Sequence, residues 1–137
     1  MSRRSRVREV VLQLLYQDDL NPAPDHAAIE SFLRGRLKDN EELIDFARQL
    51  HQGIRRNREE LDQLLGERAS NWSLDRMAVT DRNILRLGAF EILYAETPGR
   101  VAINEAVELA KRYGARQSSQ FVNGILDRLL HDLCDES

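Results

Sequence analysis

The stretch DRNILRLGAFEIL, residues 81–93, decides the fold. On a helical wheel Ile84, Leu85, Leu87, Ile92 and Leu93 spread around much of the circumference instead of lining one stripe. A helix with so little polar surface must be enclosed by others, so it is expected at the centre of the molecule. Thr80 is placed to cap its start. The helix is predicted to run to Tyr94, and Thr97-Pro98-Gly99 then supplies a turn.

The flanking segments carry the same helical signature. Val7, Val10, Val11 and Leu14 follow i, i+3, i+4, i+7 spacing, which predicts an amphipathic helix over residues 3–20 that Pro22 and Pro24 end. Asp25 caps a second helix reaching Leu37. A third runs from about Asn40 through Leu43, Ile44, Ala47, Leu50 and Ile54. A fourth carries Leu61, Leu64 and Leu65, and Gly66 weakens its end. Trp72-Ser73-Leu74 reads as a short helical turn capped by Ser73, with Trp72 as a packing anchor or a stacking platform. After the central helix, Ile103, Ala106, Val107 and Ala110 share one face. Lys111 and Arg112 meet the negative end of that helix's dipole, and Gly114 is suited to a left-handed terminating residue. Ser118 or Ser119 caps the last helix, which buries Phe121, Val122, Ile125, Leu126, Leu129 and Leu133. No alternating run competes for a sheet. The expected architecture is all-α, about seven helices in two small packed bundles, with residues 1–137 as one domain.

Composition narrows the function. The three histidines are scattered, the single cysteine Cys134 has no partner for a disulfide or a zinc pair, and no glycine-rich phosphate loop or nucleophile elbow is present. Paired acids such as Glu41–Glu42 and Glu59–Glu60 read as solvated helix faces. No enzyme, metal or cofactor is expected. No apolar stretch is long enough for a membrane span or a signal peptide, which points to the cytoplasm.

Charge is more informative. Arg3, Arg4, Arg6 and Arg8 fall within the first eight residues with no acid among them, while the whole chain carries a formal net charge of -3. The remainder is therefore acidic, and the head reads either as an arm for a polyanion or as a solubilising terminus. Arg8, Leu12 and Tyr16 align at i, i+4, i+8 off the core side of the first helix. This ridge is either a contact strip or a surface buried under a second helical layer with only its Arg8 end exposed. A second cluster, residues 111–121 (KRYGARQSSQF), interleaves basic, aromatic and amide groups at a helix–turn–helix corner. Those are the groups that bind single-stranded RNA, through phosphates, stacking and base edges. The alternative is an ordinary capped corner whose Tyr113 and Phe121 pack inward. Asn104 and Asn123 are read as amides tying helices together, and Gly124 as a point of close helix approach.

Residues 101–111 (VAINEAVELAK) followed by 121–127 (FVNGILD) closely resemble the NusB family of bacterial transcription antitermination factors. Residues 81–93 fit the same family, as do Arg8-Glu9 leading into residues 12–16 (LQLLY). The resemblance spans nearly the whole chain in order and spacing, and the paired C-terminal motifs are its specific part. It implies two small helical bundles, no catalysis and no cofactor. It implies an RNA-binding adaptor that pairs with NusE, a small-subunit ribosomal protein, on single-stranded boxA-type RNA of ribosomal RNA leaders, and that joins the RNA polymerase antitermination complex. By position, the family's RNA surface falls on Arg3, Arg4, Arg6 and Arg8 with Lys111, Tyr113, Gln117 and Gln120. The NusE-facing surface falls on Tyr16, Asp75, Arg76 and Asp81. Two other readings remain: a helical protein–protein adaptor without an RNA role, and the detached NusB-like domain of a ribosomal RNA methyltransferase.

Overall fold

The computed structural model describes residues 2–23, 25–69 and 74–135, with only the backbone at 135. Seven α-helices and one 3-10 turn make up the regular structure of these residues, without a strand. They are α1 (Arg3–Leu20), α2 (His26–Arg36), α3 (Glu41–Arg56), α4 (Arg58–Arg68), the 3-10 turn Leu74–Arg76, α5 (Val79–Tyr94), α6 (Gly99–Tyr113) and α7 (Ser118–Asp135). The expectations for Trp72, Ser73 and Pro24 lie outside the described residues.

The central position expected for residues 81–93 is what the packing shows. Helix α5 touches α1, α3, α4, α6 and α7, and every residue from 83 to 91 is buried. The helices sort into α1–α3 on one side and α4, α6 and α7 on the other, with α5 shared between them. Gly88 permits a close approach on one side of α5, as Gly53 of α3 does against Phe90 on another. A Cβ on Gly88 would lie 2.5 Å from Leu126 Cδ1 and 3.3 Å from Ala106 Cβ, so α5 sits flush against α6 and α7. Gly124, by contrast, has no atom within 4 Å of an added Cβ, so it is not the point of close approach that the sequence suggested.

Helix caps follow local chemistry. Asp25 accepts from Ala28 N and Asn40 from Leu43 N, as expected of short polar side chains at N-caps. Thr80 is not a cap: α5 begins at Val79 with Ala78 before it and no side-chain cap. Gly114 is not left-handed either, with φ -90° and ψ -177°. It is needed for a different reason, because a Cβ would stand 2.5 Å from Ser118 Cβ and 2.7 Å from the Ala110 carbonyl oxygen. Ser118 turns its hydroxyl back to accept from Ala115 N at 2.8 Å, so it braces the corner before α7 instead of capping the helix from outside. Helix α4 also runs two residues past Gly66 to Arg68. None of the helices is long and apolar enough to cross a membrane, as judged on the described residues.

The core is interrupted by polar side chains that pair through α5. Arg86 donates to both oxygens of Asp62 at 2.7 and 2.9 Å and to Asn83 Oδ1 at 3.0 Å. Asn83 donates in turn to Asp19 at 2.8 Å. Buried charges of this kind persist only where their hydrogen-bonding capacity is met.

Candidate nucleic-acid interface

Helix α1 begins inside the arginine head. Ser2 caps it by accepting from Ser5 N at 3.1 Å, and the first turn carries no acid. Arginines at this end face the positive pole of the helix dipole, an arrangement that favours an external anion over the helix's own stability. Arg3, Arg4 and Arg6 are exposed and form no ion pair among the described residues. Arg4 lays its guanidinium 4.2 Å from the centre of the Phe46 ring on α3, a cation–π contact that leaves its outer edge in solvent.

Arg8 departs from the expectation. It is buried, 3% exposed, and its Nε and Nη2 donate to the two carboxylate oxygens of Glu91 at 2.6 and 2.9 Å. Glu105 stands 3.5 Å away and the Phe46 ring 5.5 Å away. A guanidinium so engaged has nothing to offer a phosphate. The ridge of Arg8, Leu12 and Tyr16 is thus buried at its Arg8 and Leu12 end and exposed at Tyr16, which is 48% accessible. Neither reading of the ridge holds as stated: the Arg8 end is covered because α5 and α6 bring Glu91 and Glu105 onto it, and the Tyr16 end is the exposed one.

The corner is brought to α1. Arg112 donates to Glu9 across the α1–α6 seam, and that hydrogen bond holds the Arg112 guanidinium above its ordinary pKa. Tyr113 is 48% exposed and lies in a groove of about 580 Å³ with Glu9, Leu12, Gln13, Tyr16, Gln17, Arg36, Thr80 and Asn83. Two tyrosines from distant parts of the chain therefore face one groove. Lys111 is exposed and lies 3.4 Å from Glu108. Gln117 and Gln120 are exposed at the start of α7, outside this groove. Between the head and the corner runs an acidic seam of Ser5, Glu9, Glu105, Glu108, Leu109 and Arg112. Ser5 donates to both Glu105 oxygens, at 2.8 and 2.9 Å.

On the other side of α1 lies a basic groove of about 460 Å³ lined by Ser2, Arg3, Arg6, Arg36, Leu37, Lys38 and Leu43. Arg36 and Lys38 come from the end of α2 and were not singled out in the sequence, where they look like ordinary dipole-facing cations. Lys38 and Asp39 take left-handed backbone conformations, φ 53° and 57°, and this tight turn sets Lys38 beside the head. Of the residues assigned to a protein partner, Tyr16 lies in the tyrosine groove and the other three sit elsewhere. Asp75 and Arg76 are exposed on the 3-10 turn. Asp81 is half-buried in the first turn of α5, and its Oδ1 has no hydrogen-bond partner among the described residues. The described residues also hold no group of three or more His, Cys, Asp or Glu able to ligate a metal ion.

Comparison with known proteins gives a consistent result. Residues 5–131 match the NusB family. Transcription antitermination protein NusB of Myxococcus xanthus is 45% identical over 133 residues, covering 94% of this chain and 95% of that protein. The protein of the same name from Anaeromyxobacter dehalogenans is 42% identical, covering 96% and 93%. Among solved structures, NusB of T. maritima superposes with a TM-score of 0.84 at 38% identity, over 96% of this chain and 92% of that one. A chain from the crystal structure of antitermination factors NusB and NusE in complex with dsRNA gives a TM-score of 0.84 at 25% identity, over 96% and 98%.

Proposed function

The chain belongs to the NusB family, and on that premise we propose that it is a cytoplasmic transcription antitermination factor. It binds boxA-type RNA of ribosomal RNA leader transcripts together with a NusE-type protein, and the assembly helps RNA polymerase resist termination. Residues 1–137 act as one RNA-binding domain. The observation that carries this reading is the groove in which Tyr113 of α6 meets Tyr16 of α1, the helix whose first turns carry Arg3, Arg4 and Arg6 without an ion pair among the described residues.

The mechanism is tethering. The head arginines neutralise phosphates and release counterions, while the tyrosines stack on unpaired bases and Gln117 and Gln120 reach base edges. Lys111 adds a cation at the corner. With Arg8 withdrawn into the core, three head contacts give a log–log salt slope of about -2 on a single strand. So small an electrostatic contribution makes a weak binder alone. A partner bound to the same RNA raises the effective concentration and makes the complex stable. Asp75, Arg76 and Asp81, with Tyr16 at the boundary, form the surface for that partner. Its acids suit a basic ribosomal protein, and the open Asp81 Oδ1 can accept a hydrogen bond.

A mobility-shift titration with single-stranded boxA RNA, with and without NusE, tests the reading. The expected result is retention that strengthens with NusE and falls when Tyr113 is replaced by alanine. The related complex contains dsRNA, so a duplex of the same sequence is the informative comparison: stacking tyrosines require the single strand to bind more tightly. Equal retention of both forms, unaffected by Tyr113→Ala, would reject the stacking groove. NusE binding without any RNA retention would favour a purely protein–protein adaptor.

A further inference from the structure

We infer that the end of α2, through Arg36 and Lys38, is a second phosphate-binding element, and that the RNA strand passes over α2 on its way from the tyrosine groove to the arginine head. The inference rests on the RNA-binding reading and specifies the path the strand takes.

Ion pairing separates these cations from most others in the molecule. Arg34, Arg48, Arg55, Arg58, Arg68, Arg86, Arg100 and Arg112 all face carboxylates within 4.0 Å. Arg3, Arg6, Arg36 and Lys38 have no such partner among the described residues, yet they line one groove that contains no carboxylate. The acids nearest in sequence are drawn to a different arginine: Arg34 lies 2.7 Å from Glu41 and 3.7 Å from Asp39. Four uncompensated cations in one concave site form a focus of positive potential that suits a polyanion.

Arg36 connects the two grooves. It lines both the basic groove and the groove of Tyr16 and Tyr113. Its guanidinium donates to Gln13 Oε1 on α1 and lies 5.5 Å from the Phe32 ring, so it is held across the α1–α2 gap. One neutral acceptor leaves further N–H groups for a phosphate. The alternative path, along α6, meets Glu9, Glu105 and Glu108. A phosphate backbone is repelled by that seam and attracted by the α2 end.

The test is the salt dependence of boxA RNA binding in the presence of NusE, read as the slope of log affinity against log salt. If α2 contributes two contacts, the intact protein shows a slope nearer -3.5 than -2, since each single-strand contact adds about -0.7. Replacing both residues (Arg36→Gln with Lys38→Gln) makes the slope shallower by about 1.4 and lowers affinity on the order of tenfold at low salt. Arg36→Lys retains the slope. The charge control is Arg56→Gln, which removes an unpaired cation from the groove between α2 and α3 and leaves slope and affinity unchanged. Far-UV circular dichroism and an unchanged NusE affinity verify that each variant is folded. An unchanged slope in the double variant, while Tyr113→Ala still weakens binding, overturns the α2 path and leaves the proposed function standing. An equal loss in Arg56→Gln reduces the effect to general charge and also overturns it. Absence of RNA retention by the intact protein overturns both.

Discussion

Arg4 and Arg8 stand one helical turn apart on α1, and both approach the Phe46 ring, at 4.2 and 5.5 Å. Arg4 is exposed and unpaired, whereas Arg8 is buried and clamped in two hydrogen bonds by Glu91. Over that single turn the helix passes from a surface that can meet a phosphate to an interior that locks it onto α5. The same side chain is a binding group in one place and a structural rivet in the other. What decides between them is the carboxylate that α5 and α6 bring, not the arginine.

That contrast can be broken most sharply at Arg8. Arg8→Ala leaves Glu91 charged and buried, 1% exposed, and should lower unfolding free energy by about 3–5 kcal/mol in urea denaturation. Replacing both partners by apolar residues (Arg8→Met with Glu91→Leu) should recover most of that loss. An Arg8→Ala protein of unchanged stability and reduced RNA affinity would return Arg8 to the binding surface.

A smaller effect is expected at the corner that presents Tyr113. Gly114→Ala places a methyl against Ser118 and the Ala110 carbonyl, at a cost of about 1–3 kcal/mol in thermal or urea unfolding. RNA affinity should fall with it, because the strained turn displaces Tyr113. Full stability and full affinity would show that the corner relaxes without consequence.

The exposed end of α1 should behave in the opposite way. Arg4→Ala with Arg6→Ala is expected to change stability by no more than about 0.5 kcal/mol. The salt slope of RNA binding should become shallower by about 1.4. A stability loss as large as that of Arg8→Ala would erase the distinction between the two turns. The smallest effect is expected at Glu9, which engages Arg112. Glu9→Gln removes the carboxylate charge opposite that guanidinium beside the tyrosine groove and should steepen the slope by up to about 0.7. A shallower slope would mean that the Glu9–Arg112 link is needed to hold Tyr113 in place.

The helices and their order were legible because they depend on local rules. Apolar spacing placed α1, α3, α5 and α7, and a short polar residue placed the cap at Asp25. The enclosure of α5 could be read from its nearly continuous apolar circumference. Less legible were features whose cause lies in another part of the chain. Nothing near Arg8 in sequence announces Glu91, which lies 83 positions away. Gly114 looked like a left-handed terminator, yet the constraint on it is the side chain of Ser118. Nothing in the local sequence marks Arg36 and Lys38, because their convergence with Arg3 and Arg6 arises from the packing of α2 on α1.

By itself the sequence determined that this chain is all-α, where most helices start and stop, and which helix lies at the centre. Each of these depends on residues a few positions apart, within reach of one another on a helix. Only the tertiary structure decided which cations remain free. Pairing with a carboxylate or exposure to solvent depends on what lies across a helix interface, at sequence separations of tens of residues. A row of arginines cannot report that in advance.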